Sequence, residues 1–199
     1  MDPIDFEPIS ASLQAELHAE CLRSLRSSDP QRIFNAVQAL RWFPGDDLLL
    51  EALSNLLQAS TPVLRGLGLE GLGALEHTES TGAIIEHIER HRHDTVEAAR
   101  AISVLGATGS ETSIPFLERV IWDDSSFATE AKEHAIEALL ALAAAGLEGA
   151  RHLLETAHVS TDLDEALVVA ARAALRELGQ RDWDDKGFAT IDATMEPSD

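Results

Sequence analysis

The chain contains no tyrosine, one cysteine and only two lysines, Lys132 and Lys186, in 199 residues. A single thiol, Cys21, rules out any disulfide framework within one chain. Its setting, Leu17-x-x-x-Cys21-Leu22-x-x-Leu25, is an apolar helix stripe, which makes it buried filler rather than a nucleophile. Glycine and proline are sparse at 12 and 7, which excludes disorder as the state of most of the chain. No apolar run is long enough to span a bilayer. The start, Met1-Asp2-Pro3-Ile4-Asp5-Phe6-Glu7, lacks the basic region and apolar core of a secretory signal, so a cytoplasmic location is expected. Basic residues are outnumbered 35 to 15, for a net charge of −20. That charge repels phosphate backbones and anionic lipid heads, arguing against nucleic acid and membrane surfaces as partners. Nucleophilic catalysis has no footing either: there is no Gly-x-Ser-x-Gly elbow, no phosphate loop and no paired Cys and His.

What is present is one phrase written five times. It reads Ala36-x-x-Ala39-Leu40, Gly68-x-x-Gly71-Leu72, Ala101-x-x-Val104-Leu105, Ala135-x-x-Ala138-Leu139 and Ala171-x-x-Ala174-Leu175. Near-constant spacing means one supersecondary unit stacked along the chain. Two small residues three apart share a helix face and let a neighbouring helix approach; the leucine fills the gap between layers.

The third repeat predicts the unit in full. Asp94 or Thr95 caps a first helix with the apolar stripe Val96, Ala99, Ile102 and Leu105, which Gly106 and Gly109 then break. Ser110 to Ser113 supply capping oxygens, and Pro115 suits the first turn of a second helix carrying Phe116, Leu117, Val120 and Ile121 inward to near Asp123. Elsewhere the pattern predicts helices over 47–58, 83–91, 130–144, 147–158 and 164–178, the last ending at Gly179, with an amphipathic helix over 10–27 in front. A longer connection, Asp123 to Phe127, precedes the fourth repeat. The expectation is an all-α, right-handed α-α superhelix: a short solenoid of about five repeats plus an N-terminal capping helix. It would span 10–182, between an N-terminal extension at 1–9 and an acidic C-terminal tail at 183–199.

Val63-x-Arg65-x-x-Gly68-x-x-Gly71-Leu72-Gly73, and Ile114-Pro115-x-Leu117 followed by Asp123, resemble HEAT repeats of the short type first noted in phycobilin lyases. The resemblance covers roughly residues 29–180. It implies the fold just described and, for most such proteins, a protein-binding scaffold; a few bind pigments, DNA or iron. The second repeat departs from the pattern, with glycines in place of alanines. Each costs about 1 kcal/mol of helix stability relative to Ala, and in exchange permits close helix approach.

The other family chemistries find little support. Iron-dependent members carry His-Glu dipeptides, whereas this chain has the reverse order at Glu76-His77, Glu86-His87 and Glu133-His134. Reversal moves each ligand by roughly 100° around a helix. Pigment attachment is unsupported by the scarcity of aromatics. His87-x-x-x-His91-x-His93 has the spacing to clamp a divalent ion, but its charged neighbours Glu86, Glu89, Arg90 and Arg92 suggest a solvated helix end, and no third or fourth ligand is apparent. No cofactor or metal is therefore expected. The second helices present Glu51, Asn55, Glu86, Glu89, Glu118, Arg119, Arg151 and Glu155, a mixed to acidic row that suits a protein partner, in one version a basic one. Trp42, Trp122 and Trp183 stand at helix ends or loops, as packing plugs or interface anchors. The reading is a non-enzymatic scaffold or adaptor, in one version an inhibitor or immunity-type protein against a basic partner such as a nuclease toxin. Its rival is a metal-dependent enzyme or cofactor-binding protein seeded by His87 and His91.

Overall fold

A computed structural model describes residues 11–75, 77, 79–122 and 127–192, with side chains described through 180. The described residues form ten α-helices and no strand. They are α1 (Ala11–Leu25), α2 (Pro30–Ala39), α3 (Asp47–Leu56), α4 (Pro62–Ala74), α5 (Ser80–His91), α6 (Thr95–Ala107), α7 (Ile114–Trp122), α8 (Thr129–Ala144), α9 (Glu148–Ala157) and α10 (Glu165–Asp192). Short 3-10 turns cover Leu40–Trp42 and Glu111–Ser113. The extension at 1–9, the connection at 123–126 and the end of the tail at 193–199 lie outside the described residues.

The chain divides into two compact units, Met1–Ser80 and Thr81–Asp199. Within each, first helices stack on the first helix of the next repeat: α2 on α4, α6 on α8 and α8 on α10. Three second helices also pack on the first helix that follows them: α3 on α4, α7 on α8 and α9 on α10. This is the solenoid-like repeat arrangement that the phrase predicts.

Local chemistry sets the helix ends. Asp29, Asp46 and Asp94 each accept a hydrogen bond from a first-turn amide of the helix they precede, at Gln31, Leu49 and Glu97. Pro30, Pro62 and Pro115 occupy first turns, where no amide donor is needed. Gly146, at φ 90°, closes α8 with the Leu147 amide donating to the Leu142 carbonyl at 3.1 Å and its own amide donating to Ala143 at 3.0 Å.

The small residues of the phrase do the work expected of them. Ala36, Gly68, Gly71, Ala101, Ala135, Ala138, Ala171 and Ala174 are all buried. A side chain at Gly68 would begin 2.9 Å from Leu56 Cβ, so α3 and α4 approach as closely as glycine permits. Leu40, Leu72, Leu105 and Leu139 are fully enclosed.

Five expectations need correction. Leu175 is only half-buried, because among the described residues no further repeat stacks on α10. Val96 is 74% exposed: the inner face of α6 runs instead through Glu97, Ala98, Ala101, Ile102 and Leu105. Gly106 does not break α6 but lies inside it, where an added Cβ would sit 2.7 Å from Ala138 Cα; the helix ends beyond it, before Gly109 at φ 64°. α5 starts at Ser80 rather than 83, taking Gly82 into the helix. α10 runs through Gly179 to Asp192, since a glycine of ordinary helical φ costs about 1 kcal/mol without forcing a stop.

Candidate functional site

The N-terminal unit carries a groove of about 680 Å³ between α1 and α2. Its α1 wall is Gln14, Leu17, Glu20, Cys21 and Ser24, and its α2 wall is Arg32, Asn35, Ala36 and Ala39. Each set follows the three-and-four spacing of a single helix face, so the groove runs along both helices rather than plunging between them. Trp42 and Phe43 close one end. Cys21, Ala36 and Phe43 are buried in the floor, while Leu17 and Trp42 stand 46% and 58% exposed at the rim. Leu13, one turn before Leu17, is also exposed. The amphipathic stripe expected over α1 is thus covered only in its second half: Cys21 and Leu25 are buried, Leu13 and Leu17 are not. The charges at the rim are paired with one another, Arg23 and Arg32 both reaching the Glu20 carboxylate. The Arg41 guanidinium lies 5.4 Å from the Trp42 ring.

Cys21 in the floor is unsuited to nucleophilic work. Burial, with the Asp46 carboxylate adding to it, pushes its thiol up to about 11, so the thiolate is scarce at neutral pH. Asp46 itself joins α1 to α3, its carboxylate 2.8 Å from His18 Nε2. Burial works to raise the Asp46 carboxyl, but hydrogen bonds from the Leu49 amide, His18 and the Leu48 amide outweigh it and hold the group below its ordinary value.

The second-helix row is found on α3, α5, α7 and α9. Glu51, Asn55, Glu86, Glu118, Arg119 and Glu155 are exposed; Glu89 and Arg151 are half-buried. Much of this row is spent on itself. Arg119 pairs with Glu89 across α7 and α5, Glu86 with Arg90 at 2.7 Å, and Arg151 with Glu155 at 3.8 Å. Glu51 and Asn55 belong to the N-terminal unit and the other six to the C-terminal one. Trp122 is half-buried at the end of α7, and Trp183 lies beyond the described side chains.

The histidine cluster differs from its expected solvated setting. His87 is 1% exposed, because it lies on the buried stripe of α5 formed by Ser80, Thr81, Ile84, His87 and Ile88. His91, one turn on, brings its ring within 4.5 Å of His87, centroid to centroid. Glu97, in the first turn of α6, places Oε1 3.0 Å from His87 Nε2 and is 8% exposed. One donor atom from each of the three lies within 4.8 Å of the others. Glu97 is the potential donor that sequence spacing hides, since it comes from the next helix. His77 and His134 go elsewhere, to Asp47 at 3.3 Å and to Glu137 at 3.0 Å.

Comparison with known proteins adds the family. Residues 50–140 match the family described as HEAT repeats. No curated protein matches the chain. The match runs from α3 through most of α8, where the phrase, the buried leucines and the paired helices recur. Together with the all-helical repeats on either side of that stretch, the match supports a HEAT-repeat protein.

Proposed function

We propose that this chain is a non-enzymatic protein-binding scaffold whose N-terminal groove receives an amphipathic helix of a basic partner. Protein interaction is the general role of HEAT repeats. The observation that carries the reading is the groove itself: two parallel walls at helical spacing, an apolar floor, and Trp42 and Leu17 left in water at its rim. The α1 wall extends about 15 Å from Gln14 to Ser24, the length of three helical turns. Exposed Trp is costly to leave uncovered and is enriched among residues that dominate binding energy. A helix fits such a surface through anchors spaced three and four apart.

The acidic character supplies the second half of the reading. A net charge of −20 draws a cationic partner from solution and affects the association rate more than the dissociation rate. Glu51, Asn55, Glu86, Glu89, Glu118, Arg119, Arg151 and Glu155 are proposed as the steering surface. Because the Arg members neutralise several acids, this row contributes less to holding the partner than the groove does. An inhibitor that neutralises a basic toxin is the specific form of this function that the charge fits best.

The test is capture from native lysate by three proteins: wild type, Leu17→Asp, and the triple reversal Glu51→Lys, Glu86→Lys, Glu118→Lys. Cross-linking from position 14 then maps the captured segment. The expected result is one basic partner, cross-linked through an amphipathic helix, lost with Leu17→Asp and captured more slowly by the triple reversal. Raising salt from 0.1 M to 1 M shortens the screening length from about 10 Å to about 3 Å and is expected to weaken capture. Retention by Leu17→Asp, or a groove filled by a small molecule, overturns the groove reading.

A further inference from the structure

We infer that His87, His91 and Glu97 form a binding site for one divalent transition-metal ion of the zinc class. The site belongs to the C-terminal unit and is independent of the groove.

Three features converge. The first is the donor set. Two imidazoles and one carboxylate are ligands that zinc accepts, and three protein ligands leave a fourth position for water or a small anion. The second is geometry. A tetrahedral ion about 2.0–2.2 Å from each donor needs those donors about 3.3 Å apart. His87 Nε2 and Glu97 Oε1 are already 3.0 Å apart, and donors of all three residues lie within 4.8 Å of one another. Closing the remaining gap takes rotation of His91, which is only half-buried at the end of α5 and so has room to turn. The third is electrostatics. A carboxylate and an imidazole at 8% and 1% exposure have been taken out of water, and buried charge is found paired or on a metal. The C-terminus of α5 directs its negative end at the site, which favours a cation beside His91. Glu97 meanwhile sits in the first turn of α6, where a carboxylate is stabilised.

The packing supplies the support that ligands need. The Glu97 amide donates to Asp94 at 3.2 Å, which fixes the first turn of α6. Thr81 on α5 and Thr108 on α6 meet at 3.4 Å, tying the same two helices together farther along. Around the opening, Glu86 engages Arg90, and Glu89 engages Arg119, so both guanidinium groups have anionic partners of their own. Half-burial of His91 provides the ion with a route in.

A buried His87–Glu97 pair without metal would also satisfy both side chains, and His91 separates the alternatives. A simple pair gives His91 no role, whereas a metal site needs it as a ligand. The experiment uses the full chain stripped with chelator, then titrated with Zn²⁺ by calorimetry and with Co²⁺ by visible absorption. The expected result is one ion per chain, with the intense Co²⁺ bands of four-coordinate geometry. His91→Ala is expected to weaken Zn²⁺ binding by about 100-fold or more, at least what loss of a supporting shell partner costs. His152→Ala, an exposed histidine on α9, is expected to leave it unchanged. Glu97→Gln is expected to weaken binding similarly; if it unfolds the chain, the half-buried His91 still decides the matter. Absence of saturable binding, equal affinity in His91→Ala, or equal loss in His152→Ala overturns the site.

Discussion

The two units solve the same packing problem with differently weighted exceptions. In the N-terminal unit most irregularities are apolar groups left outside: Leu13, Leu17, Phe34, Trp42, Leu48 and Val63 are large and exposed, against two buried polar residues, Ser24 and Ser80. In the C-terminal unit most are polar groups taken inside: Thr81, His87, Glu97, Thr108, Ser110, Ser113 and Lys132 are buried, against three exposed valines, Val96, Val159 and Val169. A plain helical repeat needs neither. Apolar surface in water favours a partner that covers it, and polar groups inside require satisfaction by hydrogen bonds, charge or an ion. The difference in weighting underlies the two proposals, recognition in the first unit and metal binding in the second.

The sharpest way to break the comparison is through the shared core. Leu105→Ala is expected to cost roughly 2–5 kcal/mol in denaturant melts, since its side chain is fully enclosed. Leu175→Ala, the same phrase position but half-buried, is expected to cost about 1 kcal/mol. Equal losses would show that α10 is covered as fully as α6.

Next in size is a pair of glycines inside helices. Gly106→Ala forces a methyl against the Ala138 backbone and is expected to destabilise by about 1–3 kcal/mol. Gly82→Ala meets nothing within 4 Å and is expected to stabilise by about 0.5–1 kcal/mol through helix propensity. Thermal melts of the two variants moving in the same direction would mean that close approach does not set the α6–α8 spacing.

Smaller again is the cap that ties α1 to α3. Asp46→Ala is expected to cost about 1 kcal/mol at neutral pH. The folded carboxyl lies below its ordinary 3.8, so the ionised form is the one that folding favours. Its contribution is fully present above 3.8 and is lost as pH falls through the lower folded value. Wild type and variant are thus expected to converge in stability in strong acid, which acid titration of the melting temperature checks. A gap that persists there would assign the effect to packing instead.

The smallest expected effect on stability sharpens the comparison most. Leu17→Asp is expected to change stability by no more than about 0.5 kcal/mol, as for an ordinary surface position, while abolishing capture of the partner. A large loss of stability would return Leu17 to the core and dissolve the contrast between the units.

How much of this was legible in advance follows from the range of each interaction. The five-fold phrase identified the stacked helices because helix periodicity is a local property, and Asp29, Asp46 and Asp94 marked helix starts because a cap bonds within a few residues. Phe116, Leu117, Val120 and Ile121 face inward as their spacing requires. Where the reading failed, a neighbour outside the window decided the outcome. Gly106 looked like a breaker, but the approach of α8 uses it as a contact point. Val96 has a stripe position and no helix to meet it. His87 looked solvated among Glu86, Glu89, Arg90 and Arg92, but it shares the α5 face of Ile84 and Ile88, which is buried.

The functional candidates divide along the same line. From the sequence alone come the helical repeat, the acidity, the single inert cysteine and the His87-x-x-x-His91 spacing, since each is a matter of composition or of separation along one helix. The groove required α1 and α2 to be placed side by side, and the third donor, Glu97, required α6 to fold against α5. Those were decisions of tertiary structure, because burial and donor geometry depend on which helix lies opposite, and periodicity within one helix carries no record of its neighbour.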